Sequence, residues 1–399
     1  MMLKQDIIRQ ATRLTRAGRL IEATQLLQRM LRGERAPDAT AGRSAAAGRE
    51  PPIIDATSAV IEETDRPHIA RATAAPPRIL RALLDRTMER LAPGPRGLIK
   101  PAPLSTPDIV PEGARFIEGS YRNPAGSRAY RLFIPSRYQG QPLPLIVMLH
   151  GCTQSPDDFA AGTRMNLIAE EQACFVAYPA QPSEANQAKC WNWFRPEDQQ
   201  RGKGEPSLIA GITHQIMRDY SVDPKRVYVA GLSAGAAAAA IMGATYSDVY
   251  AAIGVHSGLA CGAASDLPSA LVAMRHGGHS ADRAVWGGGP TVPTIVFHGD
   301  RDMTVHPDNG DQILAQSKRT TGTQTKVHRG RVTGGHAYTR TVHTEPSGRA
   351  LFEHWTIHGA GHAWSGGSPA GSYTDPRGPD ATREMLRFFL AHSLPQPPG

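Results

Sequence analysis

The segment Val227-Tyr228-Val229-Ala230-Gly231-Leu232-Ser233-Ala234-Gly235, followed directly by five alanines, constrains this chain most. Aromatic and β-branched residues favour a strand, and an alanine run favours a helix. The glycine-flanked serine therefore sits at a sharp strand-to-helix turn. Gly231 and Gly235 remove side chains that would clash in such a turn, and Ala236 to Ala240 let the helix press against a sheet. The helix start also leaves backbone N–H groups free where negative charge would develop. Ser233 is thus a candidate nucleophile. The competing reading is a Gly-Ser turn ahead of a buried helix, because Gly-x-Ser-x-Gly by itself is a weak pattern in a chain with 40 glycines.

A serine hydroxyl barely ionises at neutral pH, so it needs a base, and the base needs a partner that fixes its tautomer. At a turn of this kind the partners follow in the order Ser, acid, His. Thr294-Ile295-Val296-Phe297-His298-Gly299-Asp300-Arg301-Asp302 reads as a strand ending in an acidic loop. Trp355-Thr356-Ile357-His358-Gly359-Ala360-Gly361-His362 reads as a strand ending in a glycine-flanked histidine. Asp302 is the candidate acid, with Asp300 and Asp308 as rivals. His362 is the candidate base, with His358, His306 and His256 as rivals. The run Leu145–Leu149 leads into His150-Gly151-Cys152-Thr153-Gln154, so the backbone N–H groups of Cys152 and Ala234 are the candidate oxyanion hole.

From about residue 112 onward, short apolar runs alternate with helical patterns. Strands are expected at Arg115–Tyr121, Ser127–Ile134, Leu143–Leu149, Cys174–Tyr178, Arg226–Ala230, Ala251–Val255, Thr294–Phe297 and Leu351–Ile357. Helices are expected around Leu208–Met217, at Ala236–Ala244 and at Ala381–His392. This pattern predicts a mostly parallel sheet covered on both faces, with the active site at the carboxyl ends of the strands.

The first hundred residues differ. Residues 3–31 and the stretch from Ile79 to Leu91 have helical spacing, and residues 33–75 are rich in Ala, Arg, Pro and Gly without a sustained period. This gives a basic helical extension and linker over 1–100 and a separate domain over 112–395. Residues 1–100 hold 18 Lys/Arg against 11 Asp/Glu, which is +7 of the chain's net +8. Attraction to an anionic surface would reside there and not around the chemistry; the competing reading is a solvated helix face. The basic region lacks aromatic interleaving, so no nucleic-acid partner is expected. No apolar stretch is long enough to span a membrane, and the N-terminus lacks the apolar core of a secretory signal, so a cytoplasmic protein is expected. The four cysteines form no CxxC pair, so no structural zinc site is expected.

Together, LHGCTQ at 149–154, YPAQ at 178–181, CWNWF at 190–194, GLSAG at 231–235, HGDRD at 298–302 and GAGHAWSGG at 359–367 resemble the poly(3-hydroxybutyrate) depolymerase family of esterases, which is close to feruloyl and acetyl xylan esterases. The resemblance covers roughly residues 112–393. It implies an α/β-hydrolase fold, a triad of Ser233, Asp302 and His362, and no metal or organic cofactor. It also implies a disulfide between Cys152 and Cys190 bracing the oxyanion loop, which conflicts with a reducing cytosol and leaves an extracellular placement as the alternative. Trp191, Trp193 and Phe194 are candidates for an apolar wall around an acyl chain or phenolic ring; the alternative is that they fill core. The expected activity is hydrolysis of poly- or oligo(3-hydroxyalkanoate) esters through an acyl-enzyme. The alternatives are feruloyl or acetyl xylan ester hydrolysis and, further off, a serine peptidase or a non-catalytic binding protein. The family's secreted members open differently, and the basic extension here suggests attachment to a surface such as an intracellular polyester granule.

Overall fold

The computed structural model describes residues 109–278, 291–317 and 323–395. The helices and linker expected over 1–100 lie outside them. The described chain forms β1 (Arg115–Asn123), β2 (Gly126–Ile134), β3 (Leu143–Leu149), α1 (Pro156–Thr163), α2 (Met165–Gln172), β4 (Phe175–Pro179), α3 (Gly204–Asp219), β5 (Val222–Leu232), α4 (Ala234–Thr245), β6 (Ala252–His256), α5 (Leu267–His276), β7 (Thr294–Gly299), α6 (Asp308–Ser317), β8 (Gln324–Arg331), β9 (Ala337–Thr344), β10 (Ala350–His358), β11 (Trp364–Ser365), β12 (Thr374–Asp375) and α7 (Ala381–Leu390).

Ten strands form one sheet in the order β1-β2-β4-β3-β5-β6-β7-β10-β9-β8. The run from β4 to β10 is parallel, and the pairs at either end are antiparallel. Every residue of β3, β4, β6 and β7 is buried. Strands covered by helices on both faces must be apolar throughout, which is why they read as continuous runs and not as alternation. The alanines of α4 lie in one core layer with Val227, Val229, Ile253 and Val255. The opposite layer holds α7, whose Met385, Phe388 and Phe389 pack with Tyr228 and Phe297; the Tyr228 and Phe389 rings stack at 5.1 Å. Asp380 caps α7 by accepting the Arg383 N–H at 3.0 Å.

Three differences from the sequence reading have physical causes. The strands run one to four residues past most of their expected ends, because ladder pairing carries Gly231, Leu232 and Gly299 although none favours a strand on its own. The antiparallel strands β8 and β9 carry no apolar run. Edge strand β8 is almost wholly exposed and bears Lys326, Arg329 and Arg331, charges that discourage edge-to-edge association. Four helices outside the sequence reading are short: α1 and α2 span eight residues each, little more than two turns in which to show a period, and α5 and α6 span ten.

Candidate active site

The carboxyl ends of β5, β6, β7 and β10 lie side by side, and each delivers one part of the site. Ser233 follows β5 with φ +57° and ψ −120°. A non-glycine residue with positive φ stores strain that surrounding contacts must hold. Here the Ser233 N–H donates to the His256 carbonyl at 2.9 Å, tying the turn to the end of β6. A Cβ at Gly235 would collide with the carbonyls of Leu149 and His150, so the turn closes onto the end of β3 only with glycine there.

Beyond β7, Asp302 is buried. Its Oδ1 accepts the N–H groups of Thr304 and Val305, both at 2.9 Å, and its Oδ2 lies 2.7 Å from His362 Nδ1. Burial alone would raise its pKa, but hydrogen bonds from His298 and His362 outweigh that and hold the carboxyl well below its usual range. Asp302 therefore stays ionised, and His362 must carry its hydrogen on Nδ1, which leaves Nε2 as the basic nitrogen. The acid and base loops are joined along their length: Arg301 N–H donates to the Ala360 carbonyl at 3.0 Å, and Asp300 N–H to that of Ile357 at 3.1 Å. A side chain at Gly299 would strike the Ala360 carbonyl.

His256 links the serine to these loops. It is fully buried, its ring stacks on Trp364 and Phe297, and its Nε2 accepts the Ser365 N–H at 3.0 Å. Burial lowers its pKa to about 3, with further depression from His298 and His362, so it is a neutral brace and not a base. Of the other rivals, His306 lies at the start of α6 beside exposed Asp308, and His358 pairs with Asp300 at an exposed position.

At the end of β3, the N–H groups of Gly151, Thr153 and Gln154 are taken by Gln154 Oε1, the Ala188 carbonyl and the Gly151 carbonyl. The N–H of Cys152 has no partner among the described residues, and Ala234 opens α4, where no intrahelical partner exists. Both candidate oxyanion donors thus remain available beside the serine turn. Cys152 and Cys190 are disulfide-bonded. His150 fixes the same loop: its Nδ1 donates to the Gly151 carbonyl at 2.8 Å, and its Nε2 accepts the Gln181 N–H at 3.1 Å. Burial lowers its pKa to about 4.

The proposed aromatic wall needs correction. Trp191 is completely buried and donates from Nε1 to the His150 carbonyl at 3.1 Å. Trp193 is 6% exposed and belongs to the core. Only Phe194, edge-on against Trp193, reaches partly toward solvent. A tryptophan pair on a disulfide-anchored loop gains more by filling core than by facing water.

A buried polar cluster escaped the sequence reading. Glu205 accepts from the Asn192 backbone N–H and from Asn192 Nδ2, both at 2.7 Å, and from Gln181 Nε2; Arg128 lies 3.5 Å away. Burial, seconded by Asp198, raises its pKa. Glu205 anchors the 190–194 loop and, through Gln181 and His150, the oxyanion turn. Its signal was available: Glu205 shares a helix face with the buried Leu208, Ile209 and Ile212. A carboxylate on an apolar face requires partners.

The family model described as esterase PHB depolymerase matches residues 128–336. The chain is 34% identical over 229 residues to poly(3-hydroxyalkanoate) depolymerase C of Paucimonas lemoignei, covering 55% of this chain and 54% of that one. It is 27% identical over 202 residues to a probable acetylxylan esterase A of Neosartorya fischeri, covering 47% and 54%, and 29% identical over 242 residues to feruloyl esterase B of Neurospora crassa, covering 56% and 80%. The chain thus spans about half the length of the first two of these relatives. An acetyl xylan esterase structure from Aspergillus awamori superposes with a TM-score of 0.53 at 19% identity, covering 70% of this chain and 99% of that one, which shows a shared α/β-hydrolase fold. With more than half its length matched by that family model, this chain belongs to the esterase PHB depolymerase family.

Proposed function

We propose that this protein is a serine carboxylic ester hydrolase working through an acyl-enzyme. The observation that carries the reading is the 2.7 Å bond between His362 Nδ1 and buried Asp302, at the same sheet end as the strained Ser233. Ser233 Oγ attacks the ester carbonyl while His362 Nε2 accepts its proton. The Cys152 and Ala234 N–H groups stabilise the oxyanion, each worth about 3 kcal/mol in the transition state. His362 then protonates the departing alkoxide, and water repeats the cycle on the acyl-enzyme.

The 34% identity to a poly(3-hydroxyalkanoate) depolymerase supports oligo- or poly(3-hydroxyalkanoate) as substrate; the acetylxylan and feruloyl esterase relatives keep those esters as the second reading. Turnover on hydroxybutyrate trimer, ethyl ferulate, p-nitrophenyl acetate and a peptide amide separates the classes. Ser233→Ala is expected to lower kcat at least about 10³-fold and to abolish labelling by a phosphonate probe. A variant with the wild-type rate would refute the assignment.

We also propose that residues 112–395 form the catalytic domain and that the basic residues 1–100 attach it to a polyester granule. Deleting 1–100 should release the enzyme from granules and leave hydrolysis of a soluble ester unchanged. Unaltered granule binding would end that idea. The cytoplasmic reading goes with attachment to an intracellular granule, and the Cys152–Cys190 disulfide supports the oxidising, extracellular alternative in its place. Recovery of the native protein with both thiols free would favour the cytoplasmic reading.

A further inference from the structure

We propose that His298 is a positioning residue for the acid arm: its Nε2–H ties Asp302 and Val305 into one closed loop, and its Nδ1 shares a single buried water with His354 across Gly310. The proposal rests on the triad reading above and adds a residue to it.

His298, 1% exposed, places Nε2 at 2.9 Å from the Val305 carbonyl and 3.5 Å from Asp302 Oδ2. A carbonyl only accepts, so this nitrogen carries the hydrogen. The Val305 N–H meanwhile donates to Asp302 Oδ1. Residues 298, 302 and 305 thus close a ring, which holds the carboxylate by both oxygens and leaves Oδ2 directed at His362.

The far side of His298 has the complementary arrangement. In the neutral ring Nδ1 is an acceptor; it is buried and has no hydrogen-bond partner. His298 pairs in register with Thr356, so His298 and His354 share one face of β7 and β10, the face against which α6 packs. His354 Nδ1 lies 3.3 Å from Asp311 Oδ1, which assigns that nitrogen the hydrogen and makes Nε2 an acceptor, also buried and without a partner. A methyl on Gly310 would lie 3.2 Å from His298 Nδ1 and 3.1 Å from His354 Nε2. Two acceptors facing one gap cannot satisfy each other. One water donating a hydrogen to each can, and buried polar nitrogens require such a partner. The water fixes the tautomer of His298 and so keeps its hydrogen on the side of Asp302. The other titratable groups at this corner are His256 from β6 and His362 beyond β10, with Asp311 on α6.

The test uses the full chain, with kcat and KM for p-nitrophenyl butyrate measured across pH beside the thermal midpoint. His298→Leu should lower kcat about 10- to 100-fold with KM within about twofold, the size expected for one hydrogen bond to a charged group. It should also move the acid limb of the kcat/KM profile upward, because a carboxylate with one donor fewer holds the proton of His362 more tightly. His298→Gln, whose amide nitrogen reaches the Nε2 position, should recover most of the rate. If the leucine variant does not fold, His298→Asn, whose shorter amide does not reach the Nε2 position, takes its place and should move the limb likewise. Gly310→Ala, which fills the position of the water, should move the limb in the same direction by less. A wild-type rate and limb in His298→Leu, or a loss that only tracks the thermal midpoint with the limb unmoved, overturns the positioning role. An unmoved limb in Gly310→Ala overturns the water. A fully active Ser233→Ala would instead overturn the triad itself.

Discussion

Two histidine–aspartate pairs are built from the same two loops, four residues apart on one and two apart on the other. His362 and Asp302 meet at 2.7 Å, and His358 and Asp300 at 2.9 Å. By distance they are near equivalents. Their surroundings separate them: the Asp302 side chain is 0% exposed and that of His362 13%, whereas Asp300 and His358 are 37% and 43% exposed. In water an ion pair of this kind contributes little; in a buried setting the same bond fixes a tautomer and stabilises a developing imidazolium. The two rings are also used differently. The Nε2 of His358 lies 2.8 Å from Thr339 Oγ1, and Asp300 is tied by the Gly359 N–H at 2.7 Å, so the outer pair locks the two loops together. In the proposed mechanism the inner pair leaves the Nε2 of His362 for chemistry.

This contrast is open to direct attack. The largest effect is expected from Asp302→Asn, which presents a donor where His362 needs an acceptor; kcat should fall about 10³- to 10⁴-fold with the fold intact. If Asp302→Asn keeps more than a tenth of the rate, burial is not what distinguishes the pairs. Next, reducing the Cys152–Cys190 bond should cost about 2–4 kcal/mol of stability in denaturant titrations and lower kcat through the oxyanion turn. An unchanged midpoint and rate would show that Glu205 and His150 hold that turn alone. Glu205→Gln should cost about 1–3 kcal/mol, since it presents an amide to the donors of Asn192 and Gln181.

Stability should also respond to pH in a defined direction. His150 and His256 are buried neutral, with pKa values lowered to about 4 and about 3 against an unfolded value near 6.5. The unfolded chain therefore binds more protons in this window, and stability present above pH 6.5 is lost as pH falls toward 4 and below. A thermal midpoint that holds constant from pH 7 to 4 would contradict the neutral assignments. The smallest effect belongs to the outer pair: Asp300→Asn should change kcat by less than about threefold. A loss comparable to that of Asp302→Asn would make His358 the stronger candidate base.

Much of the site was legible locally because its constraints are local. Ser233 needed a strand, two glycines and a small-residue helix, all within fourteen positions of sequence. The order Ser, acid, His is the one that accompanies a nucleophile turn of this kind. Choosing among His256, His306, His358 and His362 was harder, since each is a histidine near a strand end or a loop and nothing within a few residues states its burial. The aromatic loop shows the same limit: Trp191 and Trp193 look like a wall in sequence and are core in space.

The sequence by itself determined the parallel sheet, the turn that strains Ser233 and the candidate acid and base, because apolar runs, glycines and motif order encode them directly. Only the tertiary structure decided which carboxylate is desolvated, which histidines are neutral braces, and that Glu205 secures the oxyanion turn beside the Cys152–Cys190 bond that the resemblance already implied. Desolvation and hydrogen-bond partnership depend on what distant segments bring to a residue, and spacing along the chain carries no measure of that.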